Sequence, residues 1–291
     1  MSNLGTDNRA MHALYDVPAP AKLNLFLHVT GRRADGYHLL QSVFMLIDWC
    51  DTLHFERRSD GQIHRQDLGA ALPADDLIVR AARLLQQASG CALGAEIQVD
   101  KQLPAQAGMG GGSSDAASTL LALNRLWGLG LTQPQLEALG LQLGADVPFF
   151  LRGRNAWVEG VGELITPLDL PPARFVVVKP PAGLETAQIF RHPTLGRSTK
   201  PATIADFAAD PYGFGHNDLQ PVAKLLCPPV QQALDMLEAC GLDARMTGSG
   251  SAVYAHCPHG SAAVQAPDQW TVRECGNLEV HPLLGWAASD K

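Results

Sequence analysis

One stretch of the chain combines a glycine-rich backbone with hydroxyl side chains, and it is the first candidate for chemistry. It reads Pro104-Ala-Gln-Ala-Gly108-Met-Gly-Gly-Gly112-Ser113-Ser114-Asp-Ala-Ala. Four of the five residues from Gly108 to Gly112 are glycines, so the backbone can bend through positive φ and approach a ligand closely. We refer to residues 104–112 as the glycine loop.

A helix is predicted to follow the glycine loop directly. Ser113 or Ser114 can cap it, apolar residues recur at spacings of three and four up to Trp127, and Gly128 would end it. Free N–H groups and the positive end of the helix dipole then meet the loop, which favours phosphate binding. A loop that only caps a helix would look the same. The chain has no Gly-Lys pair, which excludes a Walker A lysine, and the loop lacks the third glycine of a dinucleotide fingerprint.

Polar side chains at three other places in the sequence could have either a functional or a purely structural role. Lys22 and Asn24 lie together on one face of an alternating segment, which alone would indicate a solvated strand face. Asp146 stands between a glycine and an apolar run, where a carboxylate is costly unless it is partnered or lies in a polar cleft, although turn formation is its usual role. Tyr37 and His38 end a glycine-flanked loop. Such a pair can stack on a base and bond its edge, or simply anchor the loop.

Hydrophobic periodicity predicts the elements that must position these residues. The strand that carries Lys22 and Asn24 runs from Ala21 to Thr30. The other elements of the first half are strands at 42–49, 52–57, 62–65 and 96–103, a helix from the cap Asp75 to Gly90, the helix after the glycine loop, and a helix from the capping box at Thr132 to about Gly144. Later come a strand at 175–179, helices at 185–191, 218–226 and 230–240, a strand–turn–strand at 243–255, and a weak helix and strand.

Length and composition favour two domains. The chain has 291 residues, of which 46% are hydrophobic and 18% charged, enough for two ordinary cores. A shift in composition at Leu168-Asp-Leu-Pro171-Pro172 predicts a boundary that divides the chain into 1–167 and 168–291. Residues 1–13 are expected to form a loose polar tail, and ordered structure is expected to start near Leu14.

Composition also excludes several classes of partner. A formal net charge of −7 argues against nucleic acid as a partner. No run of about 18 apolar residues could span a membrane, and the first twenty residues lack the apolar core of a signal peptide. Six cysteines without ligand spacing favour free thiols. We therefore expect a cytoplasmic protein that acts on small molecules, as a monomer or weak homodimer.

Three motifs in this order resemble those of the GHMP kinases, which phosphorylate galactose, homoserine, mevalonate and phosphomevalonate. They are Pro20-Ala-Lys22-Leu-Asn24, the glycine loop with Ser113 and Ser114, and Thr247-Gly-Ser-Gly-Ser251. The resemblance covers about Val17 to Ala255. It implies an α+β fold of two domains, an N-terminal ATP-binding α+β domain and a smaller, ferredoxin-like C-terminal α+β domain.

The resemblance also implies a reaction and its residues. An alcohol would be phosphorylated from ATP with Mg²⁺, Asp146 taking the proton of the hydroxyl and Lys22 stabilising charge beside it. Ser113 or Ser114 would lie near the metal. The residues expected at ATP are Lys101, Pro104, Ala105, Gln106, Ala107, Gly108, Met109, Gly110, Gly111, Gly112, Ser113 and Ser114.

Two further blocks, Arg33-Ala-Asp-Gly36-Tyr37-His38 and Gly144-Ala-Asp146-Val-Pro-Phe, narrow the resemblance. They are similar to a branch that phosphorylates the 2-hydroxyl of a cytidine-diphosphate-linked polyol in the non-mevalonate isoprenoid route. The residues expected at this substrate are Asn24, Tyr37, His38, Asp146, Thr186, Phe190, Thr247, Gly248 and Ser249. Two alternatives stay open: another GHMP kinase acting on mevalonate, homoserine or a sugar, and a GHMP-fold protein that binds without catalysis.

Overall fold

The computed structural model describes residues 11–258 and 264–288. In this part of the chain the elements are β1 (Ala13–Arg32), β2 (His38–Arg58), β3 (Ile63–Asp67), α1 (Leu77–Ser89), β4 (Gly94–Asp100), α2 (Gly111–Leu126), α3 (Gln133–Leu143), α4 (Val147–Arg152), β5 (Ala156–Gly160), β6 (Leu164–Pro167), β7 (Arg174–Lys179), α5 (Thr186–Arg191), α6 (Ile204–Ala208), α7 (Gln220–Leu226), α8 (Pro228–Ala239), β8 (Ala244–Met246), β9 (Val253–His256) and β10 (Thr271–Gly276). Within these ranges no helix is long and apolar enough to cross a membrane.

Two sheets organise the molecule. The first has the order β3-β4-β2-β5-β6, with β1 pairing β2 along a long antiparallel hairpin. Helices α1 and α2 pack against each other over this sheet, and α2 also contacts β1. The second sheet has the order β10-β7-β9-β8 and is antiparallel throughout. This mixture of helices with two mainly antiparallel sheets confirms the α+β prediction.

Strand β1 is buried on both faces, which the sequence alone does not reveal. Every residue from Ala19 to Val29 is buried. Val17 and Ala19 belong to the core under α1 and α2, whereas Leu27 and Val29 belong to the core that includes β7, α7 and α8. Because two cores meet on this strand, Lys22 and Asn24 are buried rather than solvated.

Several predicted boundaries move in the structure. The helix after the glycine loop begins at Gly111 with Gly110 as its N-cap, so neither Ser113 nor Ser114 is the cap. The cap of α1 is Asp76, whose Oδ1 accepts the N–H of Val79, rather than Asp75. The capping box of α3 at Thr132 is confirmed. The expected tail at 1–13 lies mostly outside the described residues, and β1 starts at Ala13.

Other elements carry no clear signal in the sequence. The short helices α4 and α6 and the hairpin of β5 with β6 were not predicted. The closing strand is found as β10, but residues 264–288 contain no helix. The segment after β10 returns to the first sheet: Leu278 N–H donates to Leu46 O at 2.9 Å and His281 N–H to Gly153 O at 2.8 Å. The division into 1–167 and 168–291 remains a prediction.

Candidate active site

A cavity of about 1160 Å³ brings most of the predicted site residues together. Its lining comes from β1, the glycine loop, the start of α2 and the segments around 146, 184–190 and 248–250. The members predicted from the sequence are Lys22, Asn24, Lys101, Pro104, Ala105, Gln106, Ala107, Gly108, Met109, Gly110, Gly111, Gly112, Ser113, Asp146, Thr186, Phe190, Gly248 and Ser249. We call it the large cavity.

A buried lysine faces the candidate base in this cavity. Lys22 Nζ lies 3.7 Å from Asp146 Oδ2 and 4.5 Å from the centroid of the Phe44 ring. The Lys22 side chain is 4% exposed, whereas that of Asp146 is 32% exposed. A shielded cation thus stands beside a carboxylate that solvent and a ligand can reach.

The surroundings of Lys22 change the pKa of its ammonium group. Removal from water lowers the pKa of Lys22, and the neighbouring Asp146 carboxylate offsets part of that effect. Lys22 Nζ also donates to Asn24 Oδ1, and Asn24 Nδ2 donates to Ser42 Oγ at 2.9 Å. Asn24 is therefore engaged in holding Lys22, a role that its place two residues along the strand could have indicated.

The glycine loop is folded so that side chains would obstruct it. Gly108 and Gly110 have φ of +72° and +71°. A Cβ at Gly108 would lie 2.2 Å from the carbonyl oxygen of Thr247, and one at Gly110 would lie 2.9 Å from the Phe150 ring. Glycine is required at both positions by conformation and by space. Gly111, Gly112 and Ser113 of the first turn of α2 line the large cavity, and the first N–H groups of a helix have no partner within it, as an anion site needs.

The segment from Thr247 to Ser251 crosses the glycine loop. Ser251 N–H donates to Gln106 O at 3.0 Å and Ala252 N–H to Ala107 O at 3.3 Å. Thr247 Oγ1 accepts the Asn24 N–H at 2.9 Å. Thr247 is fully buried and does not line the cavity, so it links the first and third motifs while Gly248 and Ser249 face the open space.

The two serines after the glycine loop have different surroundings. Ser113 lines the large cavity. Ser114 is fully buried, and its hydroxyl donates to Pro20 O at 2.7 Å. Ser113 can therefore contact a ligand in the cavity, whereas Ser114 packs α2 against β1.

Lys101 is held by two buried carboxylates that the sequence did not indicate. Its Nζ donates to Asp51 Oδ2 and, at 2.5 Å, to Asp115 Oδ2. Asp51 Oδ1 also accepts the N–H groups of Gln102 and Leu103 at 2.6 and 2.7 Å. This cluster, Asp51, Lys101 and Asp115, ties the end of β4 to the start of α2 and so fixes both ends of the glycine loop.

Charge balance in this cluster shifts two pKa values. Burial lowers the pKa of Lys101, but the two carboxylates outweigh it and the net shift is upward. Burial raises the pKa of Asp115 to about 7, an effect that Lys101 opposes and Asp51 reinforces. Asp115 Oδ1 is buried and lacks a hydrogen-bond partner within the described chain. The single ammonium of Lys101 therefore neutralises the charge of two carboxylates only in part.

A smaller cavity of about 610 Å³ adjoins the large one, since Leu40, Val161, Ala187 and Phe190 line both. Tyr37, His38 and Arg197 also line it. The His38 and Phe190 rings lie 4.9 Å apart at 30°, whereas Tyr37 is 65% exposed. Rings from both halves of the chain therefore surround one space, with Tyr37 open to solvent at its edge.

The structure thus collects nearly all predicted residues at two connected cavities. Ser114 and Thr247 are the exceptions, because both are buried behind the cavity wall. Sequence reasoning gave no role to Asp51, Asp115 or Arg197. Asp115 follows the two serines directly, but its link to Asp51 through Lys101 joins residues that are distant in the sequence. Arg197 lies in a linker without periodicity.

Comparison with known proteins agrees with this geometry. The GHMP kinases N terminal domain matches residues 76–154, and the GHMP kinases C terminal domain matches residues 202–275. A 4-diphosphocytidyl-2-C-methyl-D-erythritol kinase of Delftia acidovorans (strain DSM 14801 / SPH-1) is 68% identical over 281 residues, covering 95% of this chain and 98% of that protein. One of Paracidovorax citrulli (strain AAC00-1) is 65% identical over 284 residues, covering 96% and 100%.

A solved structure extends the likeness to the fold. A crystal structure of 4-(cytidine 5'-diphospho)-2C-methyl-D-erythritol kinase superposes with a TM-score of 0.76 at 36% identity, covering 89% of this chain and 98% of that one. The fold and the site define a small-molecule kinase. The chain belongs to the GHMP kinase family, in the branch formed by these 4-diphosphocytidyl-2-C-methyl-D-erythritol kinases. The family predicted from the three motifs is confirmed.

Proposed function

We propose that this protein transfers the γ-phosphoryl group of ATP to the 2-hydroxyl of 4-diphosphocytidyl-2-C-methyl-D-erythritol, a step of the non-mevalonate isoprenoid pathway. The observation that carries the proposal is the approach of Lys22 Nζ to Asp146 Oδ2, 3.7 Å, in a cavity that also holds the glycine loop. The names of the close relatives agree with this substrate. The enzyme would act in the cytoplasm as a monomer or weak homodimer.

Asp146 serves as the general base in this proposal. Its carboxylate accepts the proton of the substrate hydroxyl, the oxygen attacks the γ-phosphorus, and the bond from that phosphorus to the bridging oxygen breaks to release ADP. A positioned base typically contributes about 10²–10⁴-fold in rate. The Lys22 ammonium stabilises the negative charge that develops at the reacting oxygens. Because Lys22 is buried away from water, this electrostatic interaction is stronger than it would be in solvent.

The glycine loop and the first turn of α2 hold the phosphates of ATP in this proposal. Phosphoryl transfer requires mainly positioning and charge stabilisation, and backbone N–H groups at a helix start supply both. Lys101 contributes by fixing the loop through Asp51 and Asp115 rather than as a free cation. The residues assigned to ATP are otherwise those that line the large cavity from Pro104 to Ser113.

Magnesium fits the residues of this site. No group of three or more His, Cys, Asp or Glu side chains able to hold a metal is found among residues 11–258 and 264–288. Mg²⁺ commonly takes only one or two protein oxygens and fills its shell with phosphate oxygens and water. The Ser113 hydroxyl lines this cavity and would hold the ion, which would neutralise phosphate charge when bound.

The smaller cavity takes the cytosine in this proposal. His38 meets the edge of the base, and Tyr37 and Phe190 provide ring faces. Thr186 and Ser249, whose hydroxyls lie 2.7 Å apart, line the large cavity and would contact the substrate between its base and its reacting hydroxyl. The methylerythritol end would then reach Lys22, Asn24 and Asp146.

The test is magnesium-dependent release of ADP from ATP, with four acceptors offered in parallel. These are 4-diphosphocytidyl-2-C-methyl-D-erythritol, mevalonate, homoserine and galactose. We expect turnover with the cytidine compound alone. Turnover with another acceptor would show that the protein is a kinase but would contradict the assignment of the smaller cavity to cytosine. No turnover with any of the four would favour a protein that binds without catalysis.

A further inference from the structure

Arg197 holds the imidazole of His38 from the side. Its Nε–H donates to His38 Nε2 at 3.0 Å. The rest of the guanidinium is fixed by backbone carbonyls: Nη1 donates to Leu195 O at 3.0 Å, and Nη2 donates to Phe190 O at 3.1 Å and to His192 O at 2.9 Å. The half-buried Arg197 side chain is therefore anchored at four points, and His38 is its only partner among these that could change protonation.

This contact determines where His38 carries its proton. A guanidinium is always charged and has no acceptor, so His38 Nε2 must offer its lone pair. A neutral imidazole in this position carries its hydrogen on Nδ1. Burial lowers the pKa of His38, and the Arg197 and Arg32 charges lower it further, which agrees with a neutral ring.

The Nδ1–H of His38 remains available to a ligand. Within the described ranges no side chain or backbone group bonds this nitrogen, whereas Nε2 is engaged by Arg197. His38 lines the smaller cavity together with Phe190, whose ring stands 4.9 Å away. A pyrimidine in that cavity would therefore meet a donor whose polarity cannot reverse.

We propose that Arg197 is a positioning residue that locks His38 as an Nδ1–H donor and thereby selects cytosine over uracil. Cytosine presents an unprotonated N3 as an acceptor, whereas uracil presents N3–H as a donor. Without Arg197 the ring could place its hydrogen on Nε2 and accept from uracil instead. The inference rests on the proposed function, because it assumes that the pyrimidine of the substrate occupies the smaller cavity with its N3 facing His38 Nδ1; a donor at that point meets the N3 lone pair of cytosine but the N3–H of uracil.

The first experiment reads the tautomer directly and needs no substrate. Two-bond ¹H–¹⁵N correlation spectra of protein labelled at histidine distinguish Nδ1–H from Nε2–H rings, and the His38 signals are identified by their loss in His38→Gln. We expect the Nδ1–H form in the unmodified protein and a shift toward Nε2–H in Arg197→Met. An Nε2–H ring in the unmodified protein, or the same tautomer in both, would overturn the proposal.

The second experiment measures base selectivity. The ratio of kcat/KM for the cytidine-linked substrate to that for its uridine counterpart should fall at least about tenfold in Arg197→Met, the order expected for one hydrogen bond. KM for ATP should stay unchanged. The matched control is Arg273→Met at an exposed position of β10, which should leave the ratio as it is.

The two experiments separate the possible failures. An unchanged ratio in Arg197→Met would overturn the selectivity role. A protein without turnover on either substrate would instead refute the proposed function, while the spectra would still decide whether Arg197 sets the His38 tautomer. If Arg197→Met does not fold, the spectrum of the unmodified protein decides the proposal alone.

Discussion

If Asp146 is the base, as proposed, its replacement should separate chemistry from binding. Asp146→Asn keeps the shape of the side chain but removes its ability to accept a proton, so turnover should fall at least about a hundredfold. Binding of the cytidine substrate, measured by calorimetry, should stay within a few-fold. Asp169→Asn, at an exposed position, is the control and should retain full turnover. Near-normal turnover in Asp146→Asn would remove Asp146 from the role of base.

The buried Asp115 should make the free energy of unfolding depend on pH. Burial raises its pKa from an ordinary value of 3.8 to about 7. Between these values the folded protein keeps a proton that the unfolded chain has lost. The contribution of Asp115 to the free energy of unfolding is therefore greatest below about pH 4 and is lost as the pH rises to about 7.

Asp115→Asn tests this linkage, because an amide does not titrate. The difference in unfolding free energy between the variant and the unmodified protein should move in favour of the variant as the pH rises from 5 to 7.5. Urea unfolding at several pH values measures it. Asp75→Asn, at an exposed position of the same domain, should give a difference that is flat with pH, and a flat difference for Asp115→Asn would contradict the assignment.

At the scale of elements, the crossing of the glycine loop with the Thr247–Ser251 segment depends on Gly108. An alanine there would combine a φ of +72° with a Cβ 2.2 Å from the Thr247 carbonyl oxygen. Gly128 has a similar φ of +66° but nothing within 4 Å of its Cβ position. Gly128→Ala should therefore cost about 1 kcal/mol from conformation alone.

Gly108→Ala should cost at least about twice as much as Gly128→Ala, since backbone atoms must also move apart. It should also raise KM for ATP at least about tenfold, because the loop proposed to hold the phosphates is displaced. Thermal unfolding and initial rates measure both effects. Equal stabilities for the two variants would show that the close crossing does not constrain the loop.

The contrast between predicted and observed elements follows from the range of the interactions. The helices after Gly110 and Thr132 could be predicted because periodicity and turn residues act within a few positions. The burial of Lys22 could not, because Phe44, Met109 and Asp146, which lie against it, are distant from it in the sequence. The same applies to Arg197, whose partner His38 is 159 residues distant. Motif spacing predicted most of the residues that line the two cavities, but not Asp51, Asp115 and Arg197, which support them.

At the scale of the whole molecule, the segment after β10 joins the two sheets. It leaves the second sheet at Gly276 and reaches the core under α2, where Leu283 is buried. Asn155 Nδ2 donates to Leu278 O at 2.8 Å, and the Arg125 guanidinium lies 4.8 Å from the Trp286 ring centroid. Because this segment also bonds Ala173 beside the second sheet, it helps to hold the two sheets together.

His281 makes this attachment sensitive to acid. The ring is 1% exposed, its Nδ1 accepts the Leu283 N–H at 3.0 Å, and burial lowers its pKa to about 4. The unfolded chain gains a proton near pH 6.5, whereas the folded protein resists it until about pH 4. The stability that the neutral ring supplies is therefore full above pH 6.5 and is lost as the pH falls toward 4, by about 2 kcal/mol at pH 5.

His281→Asn retains an acceptor for the Leu283 N–H but cannot be protonated. The variant should be less stable than the unmodified protein at pH 7.5, because packing is lost, and the deficit should shrink as the pH is lowered to 5. Urea unfolding at both pH values, with His64→Asn as the exposed control, measures the change. A deficit that stays constant between pH 7.5 and 5 would mean that protonation of His281 does not govern the hold of the closing segment on the first sheet.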